Sequence, residues 1–420
     1  MRILFTTYEG GGHVPPALMV TRRLQDRGHE MLFVSDEATR AAAEREGLPF
    51  EPWRRAPNRT AAAQAGDPLE DWRAKAPWSV VRAVCDAVMC GPAADYAADT
   101  LDLIERFRPD AVVSMELLFG VFAACERSGT PLALLTGNLW CFPTREDVPP
   151  FGPGFAASDA RWARNRDAFS RRLISRWYNA GLPDLNRARA GLDLPPLAHT
   201  LDQLSAADRI LIGASQAFDW PGAPPPEPFD YVGPLIAVPD WATAAAPALD
   251  EDARPLVLAS LGTTFQDQTP VMRRMIEALG RLPVRGIATL GPAMRVEDMP
   301  RPPNVQVVER ASHDAIVPRC AAVICHGGHG TVLRPLMHGV PTLCLPMGRD
   351  QPENAARIAA RGAGLTLSKG ASAGRIARAV RRLTEEPAFA ANARRLGAAV
   401  AAEVDGGERA ADAVEALARR

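Results

Sequence analysis

Apolar runs alternate with amphipathic stretches along the first part of the chain. Residues 2–7 form a largely apolar run of strand length, and residues 15–27 repeat apolar side chains at helical spacing. Apolar strands without polar alternation are typical of a parallel sheet that helices cover on both faces, because neither face of such a strand meets water. The pattern predicts strands at 2–7, 29–35, 111–115 and 131–136 and helices at 15–27, 36–46, 101–107 and 117–127.

The same alternation restarts in the second half. The stretch between the halves is dense in Pro and Gly, which is typical of an interdomain linker. We therefore expect two Rossmann-like parallel-sheet α/β domains, at residues 1–220 and 251–420, joined by a linker at 221–250 and facing a central cleft. Predicted strands of the second half are 256–261, 284–290, 305–308, 322–325 and 342–346, and predicted helices are 269–280, 312–319, 331–338 and 353–361, with two or three more after Ala373.

Two stretches of the first half interrupt this rhythm with prolines and aromatic residues. They are residues 52–92 and 137–180, which hold most of the tryptophans of the chain and read as irregular insertions. One interpretation is that their aromatic side chains pack a local core. The other is that they line a cavity for a flat or apolar ligand. The pattern leaves both interpretations open.

Composition narrows the classes of protein that remain. Lys and Arg number 48 against 49 Asp and Glu, which argues against a nucleic-acid binder because such proteins usually carry a basic excess. The 7 cysteines show no metal-ligand spacing, so we expect free thiols in a reducing cytoplasm. No uncharged run reaches the roughly 18–20 residues that span a bilayer. A cytoplasmic protein without a membrane span or a metal is expected.

Two turns of the second half have the residue types of a phosphate site. Residues 326–331 (HGGHGT) join an apolar strand to a predicted helix, and residues 260–264 (SLGTT) follow another strand. Glycines let the backbone approach a ligand, and the N–H groups and dipole of a helix N-terminus favour an anion. Asp350 and Gln351 follow the next strand and can exchange hydrogen bonds with neighbouring hydroxyls, as a sugar presents. A phosphate-bearing ligand is therefore expected.

One histidine of the first half is a candidate general base. Residues 10–12 are glycines between the first strand and the first helix, and His13 follows them at the carboxyl edge of the predicted sheet. A histidine there can accept a proton near neutral pH. Glu116 ends the strand at 111–115 and can hold the other ring nitrogen, which raises basicity and fixes the tautomer.

These motifs together resemble a known family. The segment H-G-G-x-G-T, a following G-V-P and a D-Q pair at Asp350 are similar to the donor signature of the GT-B glycosyltransferases of the UDP-glycosyltransferase superfamily. The G-G-H turn at residues 11–13, F-D-Y-V-G-P-L at 229–235 and S-L-G-T at 260–263 fit the same family. The chain most resembles the bacterial macrolide and natural-product branch. The resemblance implies a GT-B fold whose last helix packs back on the first domain.

The resemblance also implies how a nucleotide-sugar donor is held. Asp350 and Gln351 would bind hydroxyls of the sugar, and Arg310 stands where the family often stacks a tryptophan on the base. A guanidinium can also stack on a base. No metal or other cofactor is implied, because backbone donors and the helix dipole can stabilise the departing diphosphate. The residues implied to hold the diphosphate are Gly262, Thr263, His326, Gly327, Gly328, Gly330 and Thr331.

For the acceptor the resemblance implies a small, largely apolar or aromatic natural product in the first domain. His13 would deprotonate its hydroxyl, with Glu116 where the family usually has an aspartate, and the sugar would transfer with inversion. The aromatic insertions would form the pocket, with Trp78, Trp140 and Phe142 as its candidate residues.

Several alternatives stay open at this point. Arg334 stands where many relatives keep a glutamate for the ribose hydroxyls, so the sequence does not choose between a UDP- and a TDP-sugar. A nucleotide-sugar 2-epimerase has the same fold but needs no apolar acceptor. A third possibility is a non-catalytic protein that binds a nucleotide sugar and stabilises a second transferase. A homodimer is compatible with all three.

Overall fold

The computed structural model contains two parallel sheets, one in each half of the chain. Each sheet has helices on both faces, so the predicted fold class of two Rossmann-like domains that face a cleft is confirmed. We call them the first and second units. The structure describes residues 1–61, 69–74, 76–222, 224–236, 252–262, 265–403 and 405–419.

The first unit is built on a seven-stranded sheet with the order β3-β2-β1-β4-β5-β6-β7, in which every pair is parallel. Its central strands are buried on both faces, as their apolar sequences require. The last strand lies inside the range predicted as linker, so the first sheet extends into that range. The strands are β1 Arg2–Thr6, β2 Glu30–Ser35, β3 Phe50–Pro52, β4 Ala111–Met115, β5 Leu132–Thr136, β6 Arg209–Ile212 and β7 Phe229–Tyr231.

Seven α-helices belong to the described part of this unit. The two aromatic insertions, predicted to be irregular, each contain helices beside irregular segments, and one of them holds an 18-residue helix. A π-helical turn, Cys85–Met89, continues α3. The helices are α1 Val14–Asp26, α2 Arg40–Arg45, α3 Pro77–Val84, α4 Ala93–Phe107, α5 Phe119–Ser128, α6 Arg161–Tyr178 and α7 Leu182–Ala190.

The second unit has a six-stranded parallel sheet with the order β10-β9-β8-β11-β12-β13. Its strands are β8 Leu256–Ser260, β9 Arg285–Thr289, β10 Val305–Val308, β11 Ala322–Cys325, β12 Thr342–Cys344 and β13 Gly364–Thr366. The helices of the second half of the chain are α8 Thr269–Leu279, α9 His313–Ile316, α10 His329–Met337, α11 Gln351–Ala360, α12 Ala373–Glu385, α13 Pro387–Ala401 and α14 Gly406–Ala418.

The chain passes between the two units twice. The first passage lies between β7 and β8 and the second between α13 and α14, because α14 packs on α1 in the core of the first unit. Arg27 of α1 holds α14 by ion pairs to Glu408, Asp412 and Glu415. At the end of α13, the carboxylate of Glu403 accepts hydrogen bonds from Ser215 Oγ and from the N–H of residue 217, in the segment that follows β6.

Candidate active site

The carboxyl ends of both sheets border one cavity of about 1770 Å³. Ligands of open α/β sheets bind at these strand ends. The turn after β1 and the first residues after β4 and β5 form the wall on the first unit, and the turn after β11 and the loop before α11 form the wall on the second. The fold thus brings the two glycine-rich turns, far apart in the sequence, to the same cavity.

The predicted histidine and glutamate pair is formed in this cavity. His13 occupies the position before the first residue of α1, and Glu116 follows β4. Because β1 and β4 are neighbouring parallel strands, their carboxyl ends lie side by side. His13 Nε2 lies 3.1 Å from Glu116 Oε1, and Glu116 is only 2% exposed. The buried carboxylate therefore fixes the ring of His13.

The surroundings of His13 make it a stronger base than a free imidazole. Burial lowers the pKa of His13, but the charge and hydrogen bond of Glu116 outweigh burial and raise the pKa above its usual value. When Nε2–H donates to Glu116, Nδ1 carries the lone pair. Nδ1 lies 3.4 Å from the hydroxyl of Tyr8, whose pKa is raised far above its usual range by burial, so that this hydroxyl stays protonated.

The glycine-rich turn after β11 leads directly into α10. Gly328 stands before the first residue of the helix, and Gly330 and Thr331 belong to its first turn. First-turn N–H groups have no acceptor within their own helix, so they point at the cavity and favour an anion. The hydroxyl of Thr331 donates to the carbonyl oxygen of Gly328 at 2.7 Å and closes the turn. This geometry is suited to a phosphate, and the phosphate site at this turn stays a prediction.

His326 connects this turn to the loop after β8. Its Nδ1 accepts a hydrogen bond from the N–H of Gly262 at 3.2 Å, and burial lowers the pKa of His326 to about 4. The ring is therefore neutral at physiological pH, which the accepted hydrogen bond also requires. Thr263, predicted to face the diphosphate from the same loop, lies outside the described residues.

We expect Gly328→Ala to weaken nucleotide binding strongly. A Cβ at this position would lie 2.5 Å from His326 Nε2, so either the turn or the ring must move away from its position at the phosphate site. Calorimetric titration with a nucleoside diphosphate measures the change. Gly374→Ala in the first turn of α12 is the matched control, because Gly374 does not border the cavity and a Cβ there would meet only the Arg281 guanidinium, at 3.8 Å. Equal affinity of the two variants would contradict the assignment of this turn.

Asp350 and Gln351 lie at the start of α11 and both border the cavity. Oδ2 of Asp350 accepts hydrogen bonds from the N–H of His329 at 3.2 Å and from the Asn354 side chain at 2.8 Å. The amide of Gln351 accepts from the N–H of Met347 and donates to Gln266. In the described residues the hydrogen bonds to Asp350 all reach Oδ2, so Oδ1 is accessible to a ligand, whereas both polar atoms of the Gln351 amide have protein partners.

The two predicted arginine positions differ in their surroundings. Arg310 is exposed and borders the cavity, where its guanidinium is accessible to a ligand. Arg334 also borders the cavity but donates to Asp314 Oδ1 at 2.7 Å. His313, which the sequence analysis missed, also borders the cavity, and its Nε2 lies 3.0 Å from Thr289 Oγ1. Burial lowers the pKa of His313 to about 4, so the ring is neutral.

The three aromatic residues predicted for the acceptor pocket lie elsewhere. Trp140 and Phe142 are 5% and 2% exposed and pack on each other in the core of the first unit. Trp78 is 58% exposed on the surface and contacts Trp177. None of the three borders the cavity. Sequence could not show this, because the direction of an aromatic side chain depends on tertiary packing.

The two insertions do supply an apolar wall of the cavity, but from residues other than the three named in the sequence analysis. It comes from one face of α3 with the π-helical turn and from the facing side of α6. The repeated valines of residues 80–88 at helical spacing were its available signal. The residues of this wall are Val80, Val81, Val84, Val88, Leu173, Ile174, Trp177 and Tyr178.

Two contacts cross the cavity from a short segment of the first unit. Arg349 pairs with both carboxylate oxygens of Asp71 at 2.6 and 3.0 Å. The ring of Trp72 meets Phe265 edge to face at 5.1 Å between centroids. Residues 71–72 therefore join the first unit to two loops of the second unit, the loop after β8 and the loop before α11.

No group of His, Cys, Asp or Glu in the described ranges has the arrangement of a metal site. The cysteines are unpaired thiols, as predicted. In the same ranges, no helix is both long and apolar enough to cross a membrane.

Comparisons with known proteins connect this cavity to an enzyme family. The family described as "Erythromycin biosynthesis protein CIII-like, C-terminal domain" matches residues 273–416. The 4'-demethylrebeccamycin synthase of Lentzea aerocolonigenes is 32% identical over 422 residues, which cover 99% of each chain. The solved structure of the glycotransferase of kitacinnamycin has a TM-score of 0.77 at 20% identity and covers 99% of this chain and 98% of that one. The glycosyltransferase VinC, solved in complex with dTDP, has a TM-score of 0.65 at 22% identity over 100% of both chains.

Proposed function

The chain belongs to the bacterial natural-product glycosyltransferases of family 1, which have the GT-B fold, and from that membership we propose its particular reaction. The enzyme transfers a sugar from a dTDP- or UDP-sugar to a hydroxyl of a small, largely apolar acceptor, with inversion at the anomeric carbon. His13 is the general base. The observation that carries this proposal is the contact of 3.1 Å between His13 and Glu116 in the cavity that also holds the glycine-rich turn.

The proposed chemical step is a single displacement. The acceptor hydroxyl gives its proton to the ring nitrogen of His13 that is not bonded to Glu116, while its oxygen forms a bond to the anomeric carbon. The bond between that carbon and the phosphate oxygen breaks, and the nucleoside diphosphate leaves with the electron pair. Glu116 stabilises the imidazolium that forms. The charge on the leaving group is stabilised by the N-terminus of α10.

The donor side supports a nucleoside diphosphate sugar. The turn at residues 327–331 offers backbone N–H groups to the diphosphate, and Asp350 Oδ1 is available to a sugar hydroxyl. Arg310 can stack on the base. A neighbour of the same fold binds dTDP, which favours a thymidine nucleotide among the two candidates.

The acceptor side supports a flat apolar substrate. The wall formed by α3 and α6 is mostly apolar, and the same cavity is bordered by Leu117 and by Cys141, whose Sγ lies 4.0 Å from Glu116 Oε1. Such a wall would have no use in a nucleotide-sugar epimerase, which needs no second substrate. An apolar ring system held on this wall would present a hydroxyl to His13.

Product formation tests the proposal. The purified enzyme is incubated with dTDP- and UDP-sugars and a panel of flat aglycones, and the products are identified by mass spectrometry and by the anomeric coupling in NMR spectra. We expect a glycoside whose anomeric configuration is opposite to that of the donor. A product with retained configuration would overturn the proposed displacement, and no product from the panel would overturn the proposed substrate class.

We expect Glu116→Gln to move the acidic limb of the pH–rate profile to lower pH. Neutral His13 is the active form, and the carboxylate of Glu116 raises the pKa of His13, so that activity is lost as pH falls through this raised value. Without the negative charge the pKa of His13 falls, by about one unit for a close ion pair, and activity persists to lower pH at a reduced maximum.

The measurement is kcat/KM as a function of pH for the wild type, Glu116→Gln and Glu385→Gln. Glu385 is an exposed carboxylate at the end of α12, and its replacement should leave the profile unchanged. An acidic limb at the same pH in all three proteins would show that Glu116 does not act on the base.

A further inference from the structure

One buried carboxylate beside the cavity is not used by the proposed reaction. Glu353 lies in the first turn of α11 and is 1% exposed. Its Oε1 accepts hydrogen bonds from the N–H groups of Gly152 and Gly154, at 2.9 and 2.7 Å. Its Oε2 lies 3.1 Å from Arg357. A helix of the second unit thus holds a loop of the first unit through one side chain.

The loop that Glu353 holds is part of the cavity wall. Residues 151–153 border the cavity, between β5 and the acceptor-side helix α6. Gly154 has a φ of 66°, and a Cβ at this position would lie 2.7 Å from the carbonyl oxygen of Pro352. The loop therefore packs directly against the start of α11, and its path depends on that contact.

The same end of α11 presents Asp350 to the donor side of the cavity. Asn138, at the beginning of the connection between β5 and α6, donates to Asp350 Oδ2 at 3.4 Å. Asp350 and Glu353 therefore contact the connection at two places, near its start and at residues 152–154. The residues that face the donor and those that hold the acceptor loop lie three positions apart on one helical turn.

The charge of Glu353 is compensated within the structure. Burial raises the pKa of Glu353 above its usual value, and the charge of Arg357 and the two accepted N–H groups offset this effect only in part. Arg357 in turn donates to Asp219 Oδ1 at 2.9 and 2.6 Å. Because Arg357 keeps Asp219 as a partner, a change at Glu353 removes only one of its two carboxylates.

We infer that Glu353 is a positioning residue for the acceptor: it fixes loop 151–154 at a set distance from the donor-binding turn of α11. This inference rests on the proposed function. The two N–H bonds, rather than the charge of the carboxylate, carry the effect on the acceptor, since they are what determines the path of the loop.

Two variants separate this role from a purely structural one. Glu353→Gln keeps an oxygen that accepts both N–H groups but loses the charge opposite Arg357, whereas Glu353→Ala loses both. Both variants lose the ion pair between Glu353 and Arg357, so any loss of stability from that ion pair is common to the two. We expect the acceptor KM to rise about tenfold in Glu353→Ala, which corresponds to about 1.4 kcal/mol, and to change by less than about threefold in Glu353→Gln. The affinity for dTDP or UDP, measured by calorimetry, should stay the same in both.

A second measurement does not depend on turnover. Hydrogen exchange followed by mass spectrometry should show faster exchange of the amides in residues 151–155 in Glu353→Ala than in Glu353→Gln or the wild type. An equal rise of acceptor KM in both variants, or a matching fall in nucleotide affinity, would overturn the positioning role. Unchanged exchange in Glu353→Ala would overturn the contact itself. A wild-type enzyme that makes no glycoside, with the exchange difference intact, would refute the proposed function and leave the loop contact standing.

Discussion

His13→Ala is expected to lower kcat by a factor of about 10²–10⁴, the usual contribution of a positioned general base. Among the histidines that border the cavity, His13 is the one whose pKa is raised, and Glu116 Oε1, 3.1 Å from Nε2, orients its ring. The residues assigned to the nucleotide lie on the other unit, so the affinity for the nucleoside diphosphate should change little. Single-turnover kinetics with the donor and acceptor, together with calorimetry, give both quantities.

A second histidine provides the control for this experiment. His338 is exposed at the end of α10, in the unit proposed to bind the donor, and its replacement by alanine should leave kcat unchanged. Turnover in His13→Ala within a factor of about ten of the wild type would show that the proton goes elsewhere, because general-base catalysis contributes more than that. A parallel loss of nucleotide affinity would show instead that the variant has altered the fold.

Arg357→Ala is expected to lower the free energy of unfolding by about 3–5 kcal/mol, as the loss of one partner of a buried ion pair does. The guanidinium is 3% exposed and lies between Asp219 and Glu353. Burial raises the pKa of Asp219, but Arg357 and the hydroxyl of Tyr231 outweigh it and hold the pKa below its usual value. Without Arg357, two buried carboxylates from different units lose their common cation.

Urea denaturation monitored by tryptophan fluorescence measures this loss. The matched control is Arg382→Ala, which removes an exposed pair with Glu386 on α12 and should change stability little. Equal urea midpoints for the two variants would contradict the prediction and would mean that water can replace the Arg357 guanidinium beside the two carboxylates. If urea unfolds the protein in two steps, a shift of only one of these steps would show that Arg357 stabilises the contact between the units.

The sequence predicted strands that burial on both faces makes largely apolar, although it missed β6, which is also buried. β1, β4, β5, β8 and β11 are of this kind. The short strands β3, β7 and β13 have three residues each and only partial burial, so no run of apolar side chains marks them. Helix α6 was missed because arginines interrupt its apolar face along much of its length.

For the site, the sequence predicted the glycine-rich turns, whose residue types follow from the backbone conformation. It did not predict which side chains are buried and which face the cavity, because tertiary packing determines that. The glycine-rich turns are visible because only glycine tolerates the close approach at Gly328. Trp140 and Phe142 pack in the core, although aromatic residues in an inserted segment are equally compatible with the lining of a pocket. Glu353 and Arg357 resemble ordinary surface charges of an amphipathic helix in the sequence. Their burial results from contact with the other unit, which no local pattern records.

The contacts between the units also bear on how a ligand reaches the cavity. Glu403, just after α13, accepts hydrogen bonds from residues 215 and 217 and attaches the end of that helix to the first unit. Asp71 and Arg349 form a second attachment, and their ion pair bridges the cavity itself. An opening of the cavity that separates Asp71 from Arg349 has to break this ion pair. Substrate entry and product release would then pass through a state without the pair, which labels on the two units could detect as a longer distance.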